Sequence, residues 1–172
     1  KAAMKVNTDG VLLGAWVNPE NAETVLDIGA GTGLISLMLA QRTEARITGV
    51  EIEKNAAEEA IQNVHNSKWN NRILIENCSF QEFAVTSKSK YDLIVSNPPF
   101  FSNGIKNSNP HLSIARHNHL LPFADIIGGT KKILSENGKL ALILPFNYAQ
   151  EFIDKSSREN LFLLRFTAVK PF

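Results

Sequence analysis

Apolar and polar positions along this chain alternate between two rhythms. Short apolar runs bounded by glycine, proline or charge read as buried strands, and apolar residues at three- and four-residue spacing read as helices. Val25-Leu26-Asp27-Ile28 makes a first strand, and Leu34, Leu37 and Met38 a helix directly after it. Ile47-Thr48-Gly49-Val50 is a second strand, followed by a helix with Ala57, Ala60, Ile61 and Val64 as its apolar stripe. Ile73-Leu74-Ile75 and Tyr91-Asp92-Leu93-Ile94-Val95-Ser96 are the third and fourth strands. Phe123, Ile126, Ile127 and Ile133-Leu134 mark a helix expected to end near Asn137-Gly138. Leu140-Ala141-Leu142-Ile143-Leu144 reads as the fifth strand, stopped by Pro145, with a helix near 147–158 and a strand near 161–169 after it. This alternation predicts an α/β fold, a mostly parallel sheet with helices on both faces. Right-handed crossovers then gather the strand C-terminal ends on one edge, where open α/β sheets bind ligands.

Composition narrows the class. The 172 residues predict one domain over 1–172, and 44% hydrophobic content permits a sizeable core. No apolar stretch reaches spanning length and no signal peptide is visible, so no membrane partner is expected. Cys78 is the single cysteine. It excludes a disulfide framework and a clustered zinc site, so no metal is expected, and it fits a reducing cytoplasm. A net charge of +1 is not that of a strongly basic nucleic-acid binder, so affinity for RNA would come from a local patch. The chain shows no internal repeat or linker, and a monomer is expected.

Three motifs at strand ends carry the chemistry. The first strand runs into Gly29-Ala30-Gly31-Thr32-Gly33, whose alternate glycines allow a sharp turn and close approach of backbone to ligand. The spacing is not that of the dinucleotide fingerprint. The second strand ends in Glu51, a carboxylate able to accept both hydroxyls of a ribose. The fourth strand leads into Asn97-Pro98-Pro99-Phe100. Two prolines stop the strand and make a stiff turn with free carbonyls. The Asn97 side-chain oxygen and the Pro98 carbonyl can both accept hydrogen bonds from one NH2, while Phe100 can stack on a flat base. Taken alone, the same four residues also read as a merely structural strand exit. The order of glycine loop, acidic strand end and Pro-Pro exit is what favours function.

On these motifs the chain resembles the class I S-adenosylmethionine-dependent methyltransferases with a Rossmann-like fold. Asn97-Pro98-Pro99-Phe100 is similar to the motif of enzymes that methylate the amino group of adenine or the amide of glutamine. Ala3-Met4-Lys5-Val6-Asn7-Thr8-Asp9-Gly10-Val11-Leu12-Leu13-Gly14-Ala15-Trp16 and Ala115-Arg116-His117 resemble segments of the bacterial tRNA1(Val) adenine-37 N6-methyltransferase family. The resemblance implies S-adenosylmethionine as cofactor and a tRNA adenine as substrate, with a protein glutamine as the alternative. It implies catalytic roles for Asn97, Pro98, Pro99 and Phe100, with Phe100 and Arg116 on the substrate. It further implies cofactor contacts from Asp9, Asp27, Gly29, Gly31, Gly33, Glu51, Ile52, Ser79, Phe80 and Asn97.

Several of these residues have two readings. Thr8 and Asp9 precede the apolar pattern of 11–16, as an N-cap or as part of a lid formed by residues 1–22 over the cofactor. Asp27 either orients the glycine loop or meets the cofactor ammonium. Ser79 stands where the resemblance leads one to expect Asp, and Phe80 is either a cofactor contact or core. Residues 101–122 form a loop long enough to be functional or mobile, in which Arg116 is a candidate for phosphate contact and His117 is structural. Lys88 and Lys90 read as solvated surface. The family places strands before the first segment and a two-strand hairpin at the end, so the terminal elements are expected to be truncated.

Overall fold

The computed structural model describes residues 7–99 and 121–170. Its elements are α1 (Thr8–Trp16), β1 (Thr24–Ile28), α2 (Leu34–Ala40), β2 (Arg46–Val50), α3 (Lys54–His65), β3 (Ile73–Glu76), α4 (Phe80–Thr86), β4 (Tyr91–Ser96), α5 (Phe123–Ile133), β5 (Leu134–Leu142) and α6 (Phe146–Arg158). The strands form one parallel sheet in the order β3-β2-β1-β4-β5. Alternate residues of the central strands face opposite layers. Val25, Leu93 and Val95 join a core with Leu13 of α1, Ile35 and Leu39 of α2 and Ala60 of α3. Leu26, Ile28 and Ile94 join a second with Phe80 and Phe83 of α4 and Ile133 of α5. Burial on both faces is why β1 and β4 read as nearly unbroken apolar runs.

The structure moves several boundaries. α1 begins before the apolar pattern, and its N-cap is Asn7, whose side chain accepts the Gly10 amide; Asp9 lies in the first turn instead. Ile61 is 43% exposed, because Ala56, Ala57, Ala60 and Val64 take the buried face of α3. α5 stops at Ile133 rather than near Asn137-Gly138. Leu134 already pairs with Tyr91 of β4, and the next aligned pair is Leu93 with Lys139, so the Asn-Gly pair sits in an irregularity of β5. Ladder pairing has overridden the turn chemistry of that dipeptide. Nor is there a strand at 161–169. The segment is exposed and bound to α1 instead: Arg165 donates to the Trp16 carbonyl at 2.8 Å and lies 3.7 Å over its ring, while the Trp16 indole donates to Thr167 at 3.0 Å. A run rich in leucine and phenylalanine cannot declare whether a ladder partner will be there.

Candidate active site

The order of the strands reverses between β1 and β4, since β1 leads outward to β2 and β4 outward to β5. A crevice at the carboxyl ends of two such strands is where open α/β sheets take ligands. The glycine turn leaves β1 there and Asn97-Pro98-Pro99 leaves β4. Buried Ser96 joins the two exits by donating its hydroxyl to the Ile28 carbonyl at 2.8 Å.

Gly29, Gly31 and Gly33 have φ of 71°, 57° and 82°. That left-handed backbone disfavours any side chain with a Cβ. The turn is anchored from two sides and closed by a bond of its own. The Gly29 and Ala30 amides donate to the Val50 carbonyl at 2.9 and 3.0 Å, and Gly33 donates to Ala30 at 2.8 Å. From α3, the Asn63 amide donates to the Thr32 carbonyl at 2.9 Å.

Glu51 is buried and braces the same turn. One carboxylate oxygen accepts the Gly31 amide at 2.8 Å and the other the Glu53 amide at 2.8 Å. Each oxygen keeps a further lone pair for a ligand hydroxyl. Ile52 beside it is 48% exposed. Asn77, at the exit of β3, donates to the Glu51 and Ile52 carbonyls at 2.8 and 3.2 Å.

Asp27 is fully buried. Its Oδ2 accepts the Ser36 amide at 3.0 Å and the Ser36 hydroxyl at 2.7 Å, which caps the first turn of α2, while Oδ1 has no hydrogen-bond partner among the described residues. Burial pushes its carboxyl up to about 6; the Ser36 hydrogen bonds oppose the rise and the Glu51 charge adds to it.

The acidic position replaced by Ser79 has become a helix cap. The Ser79 hydroxyl oxygen accepts the Glu82 amide at 3.2 Å while the Ser79 backbone amide donates to Glu82 Oε2 at 3.2 Å, which forms a capping box at the start of α4; the hydroxyl proton goes to the same Oε2 at 2.8 Å. Its one proton is committed, which leaves only acceptor capacity. Phe80 is 4% exposed and packed in the second core.

Asn97 is half-buried, Pro98 buried and Pro99 exposed. The Asn97 Nδ2 lies 3.4 Å from Asn7 Oδ1. Asp9 is exposed on the first turn of α1. Phe100, Arg116 and His117 lie outside the described residues. Asn7, Asn63 and Asn77 stand outside the residues that the sequence marks for the site. Asn7 carried a usable signal, an Asn just before an apolar helix pattern; the other two bond carbonyls distant in sequence and carried none. Among the described residues no group of three His, Cys, Asp or Glu could hold a metal ion, and no helix is long and apolar enough to cross a membrane.

Residues 5–156 match the model of the methyltransferase small domain. A tRNA1(Val) (adenine(37)-N6)-methyltransferase of Trichodesmium erythraeum is 47% identical, over 99% of this chain and 73% of its own length. The enzyme of that name from Christiangramia forsetii is 45% identical, over 99% of this chain and 72% of its own. Among solved structures, TrmN from Thermus thermophilus superposes with a TM-score of 0.65 at 19% identity, covering 90% of this chain and 43% of that one. A precorrin-6y C5,15-methyltransferase from Geobacter metallireducens gives 0.63 at 16% identity, covering 91% and 76%. At these identities the two structures speak for the fold alone.

Proposed function

The chain belongs to the methyltransferase small domain family and to the tRNA1(Val) (adenine(37)-N6)-methyltransferases, and on that footing we propose that it methylates N6 of an adenine in tRNA, adenine 37 of tRNA1(Val), in the cytoplasm. The observation that carries the reading is the position of Asn97-Pro98-Pro99 at the exit of β4, beside the glycine turn at the exit of β1.

The residues present fit S-adenosylmethionine, which supplies an electrophilic methyl group on a sulfonium. Gly29, Gly31 and Gly33 offer backbone without side chains, and an added Cβ at Gly29 would meet nothing within 4 Å. Glu51 keeps lone pairs for ribose hydroxyls. Ile52 offers an exposed apolar surface next to it. Ser79 keeps an acceptor for an exocyclic amino group.

An adenine amino nitrogen is a poor nucleophile because its lone pair is conjugated with the ring. The Asn97 side-chain oxygen and the Pro98 carbonyl accept hydrogen bonds from its two N–H groups and draw the nitrogen toward a tetrahedral form with the lone pair free; once the nitrogen has taken the methyl group, one of its protons leaves to water. The prolines hold these acceptors in place before substrate arrives. No side chain need be a strong base. Phe100 provides the stacking face and Arg116 a phosphate contact in this reading. The base leaves its stack to reach them.

The test is labelled methyl transfer to bulk tRNA lacking the modification, followed by nucleoside analysis. N6-methyladenosine is the expected product. A protein N5-methylglutamine without RNA methylation would overturn the reading, and the relatives' shared name speaks against that alternative.

A further inference from the structure

The amide of Asn97 has an accepting end and a donating end, and only the accepting end helps an NH2 substrate. We propose that Asn7 is a positioning residue that decides which end faces the substrate. Its Oδ1 accepts the backbone amide of Gly10 at 2.7 Å. A backbone N–H can only donate, so the atom at that position must be the Asn7 oxygen. The Asn97 amide stands 3.4 Å from this same oxygen. Facing an acceptor, Asn97 presents its NH2. Its own oxygen is thereby turned away from α1, free for the adenine amino group. The flipped amide would set two oxygens against each other.

Gly10 makes the arrangement possible. A Cβ there would come within 2.9 Å of Asn7 Oδ1, 3.4 Å of Leu34 Cδ2 and 3.8 Å of Asn97 Nδ2. α1 is itself tied to the turn after α2, where Arg42 donates to the Gly14 carbonyl at 2.6 Å. One oxygen at the start of α1 thus does two jobs: it caps the helix and sets the polarity of the catalytic amide. The inference rests on the proposed function, in which Asn97 is the acceptor for the substrate amine.

Asn7→Ser separates the two jobs. Serine is as good an N-cap as asparagine, but its hydroxyl is one atom nearer the backbone and falls short of Asn97. Asn7→Asp keeps both, since either carboxylate oxygen accepts. For Asn7→Ser we expect kcat to fall about tenfold, with KM for tRNA, cofactor affinity and melting temperature unchanged. Asn7→Asp should recover most of that loss. Wild-type kcat in Asn7→Ser, or an equal loss in both variants, overturns the inference. A second measurement needs no substrate. The side-chain NH2 signals of Asn97 in a nitrogen-15 spectrum should shift in Asn7→Ser and stay near their wild-type positions in Asn7→Asp; signals unmoved by Asn7→Ser also overturn it. If the wild-type protein makes no N6-methyladenosine, the proposed function fails on its own, and the spectra still decide the contact.

Discussion

The carboxylate of Glu51 accepts the amide proton of Gly31 at 2.8 Å, so the acidic end of β2 and the glycine turn after β1 are one hydrogen-bonded unit. A residue expected only to grip a ribose also shapes the loop beside it. In the proposed function Glu51 also holds the ribose, which couples cofactor affinity to stability at this position.

Glu51→Ala should weaken binding of S-adenosylhomocysteine about tenfold or more in calorimetry, since charge-assisted hydrogen bonds contribute roughly 1.5–3 kcal/mol. It should also lower the melting temperature, because the Gly31 and Glu53 amides lose their acceptor. Unchanged affinity would remove Glu51 from the ribose site.

Asn97→Ala should abolish most methyl transfer while S-adenosylhomocysteine still binds. Contacts made to the reacting group contribute several kcal/mol to the transition state and little to the bound cofactor. A variant with near-normal turnover would exclude the acceptor role.

Gly49→Ala tests how closely β2 supports the turn. A Cβ at Gly49 would stand 2.7 Å from Ile75 Cδ1 and 3.0 Å from the Ala30 Cβ. Overpacking of this kind costs about 1–3 kcal/mol. Both a lower midpoint in urea and a weaker cofactor complex are expected, because Ala30 belongs to the turn.

Asp27 gives stability a pH dependence of definite sign. Its carboxyl is raised from 3.8 to about 6 in the folded protein, chiefly by burial. The proton is held more tightly by the folded state, so the stabilising contribution is fully present below 3.8. It is lost as pH rises through 6 and amounts to about 3 kcal/mol in total. Asp27→Asn should flatten this part of the profile. Parallel urea titrations of the two proteins between pH 4 and 7 would show the difference shrinking or, if Asp27 titrates normally, constant.

Phe100→Ala should weaken catalysis by about 1–3 kcal/mol if the flipped base stacks there. Arg116→Ala should instead reduce the salt slope of tRNA binding by about one. Equal effects on a free adenosine substrate would argue against a phosphate contact for Arg116.

How much of this was legible in the chain follows from what kind of signal each feature leaves. β1, β2 and β4 are buried on both faces, so their apolar runs stood out without any knowledge of the sheet. The three glycines could be read because left-handed backbone favours glycine over residues with a Cβ, and Asn97-Pro98-Pro99 because proline forces a strand to stop. These signals are local, and each residue carries its own reason. The sheet order, the meeting of the β1 and β4 exits and the paired use of Glu51 depend on residues far apart in sequence. So do the cap that Ser79 became, the side Phe80 turned to the core and the failure of 161–169 to form a strand. Each was decided by which partner the fold brought within hydrogen-bond or packing distance. Asn7 stands at the boundary. The apolar pattern offers Thr8 and Asp9 as the cap of α1; only the packed structure gives that role to Asn7 and puts the same oxygen beside Asn97, because a hydrogen bond across ninety residues of chain leaves no periodicity to read.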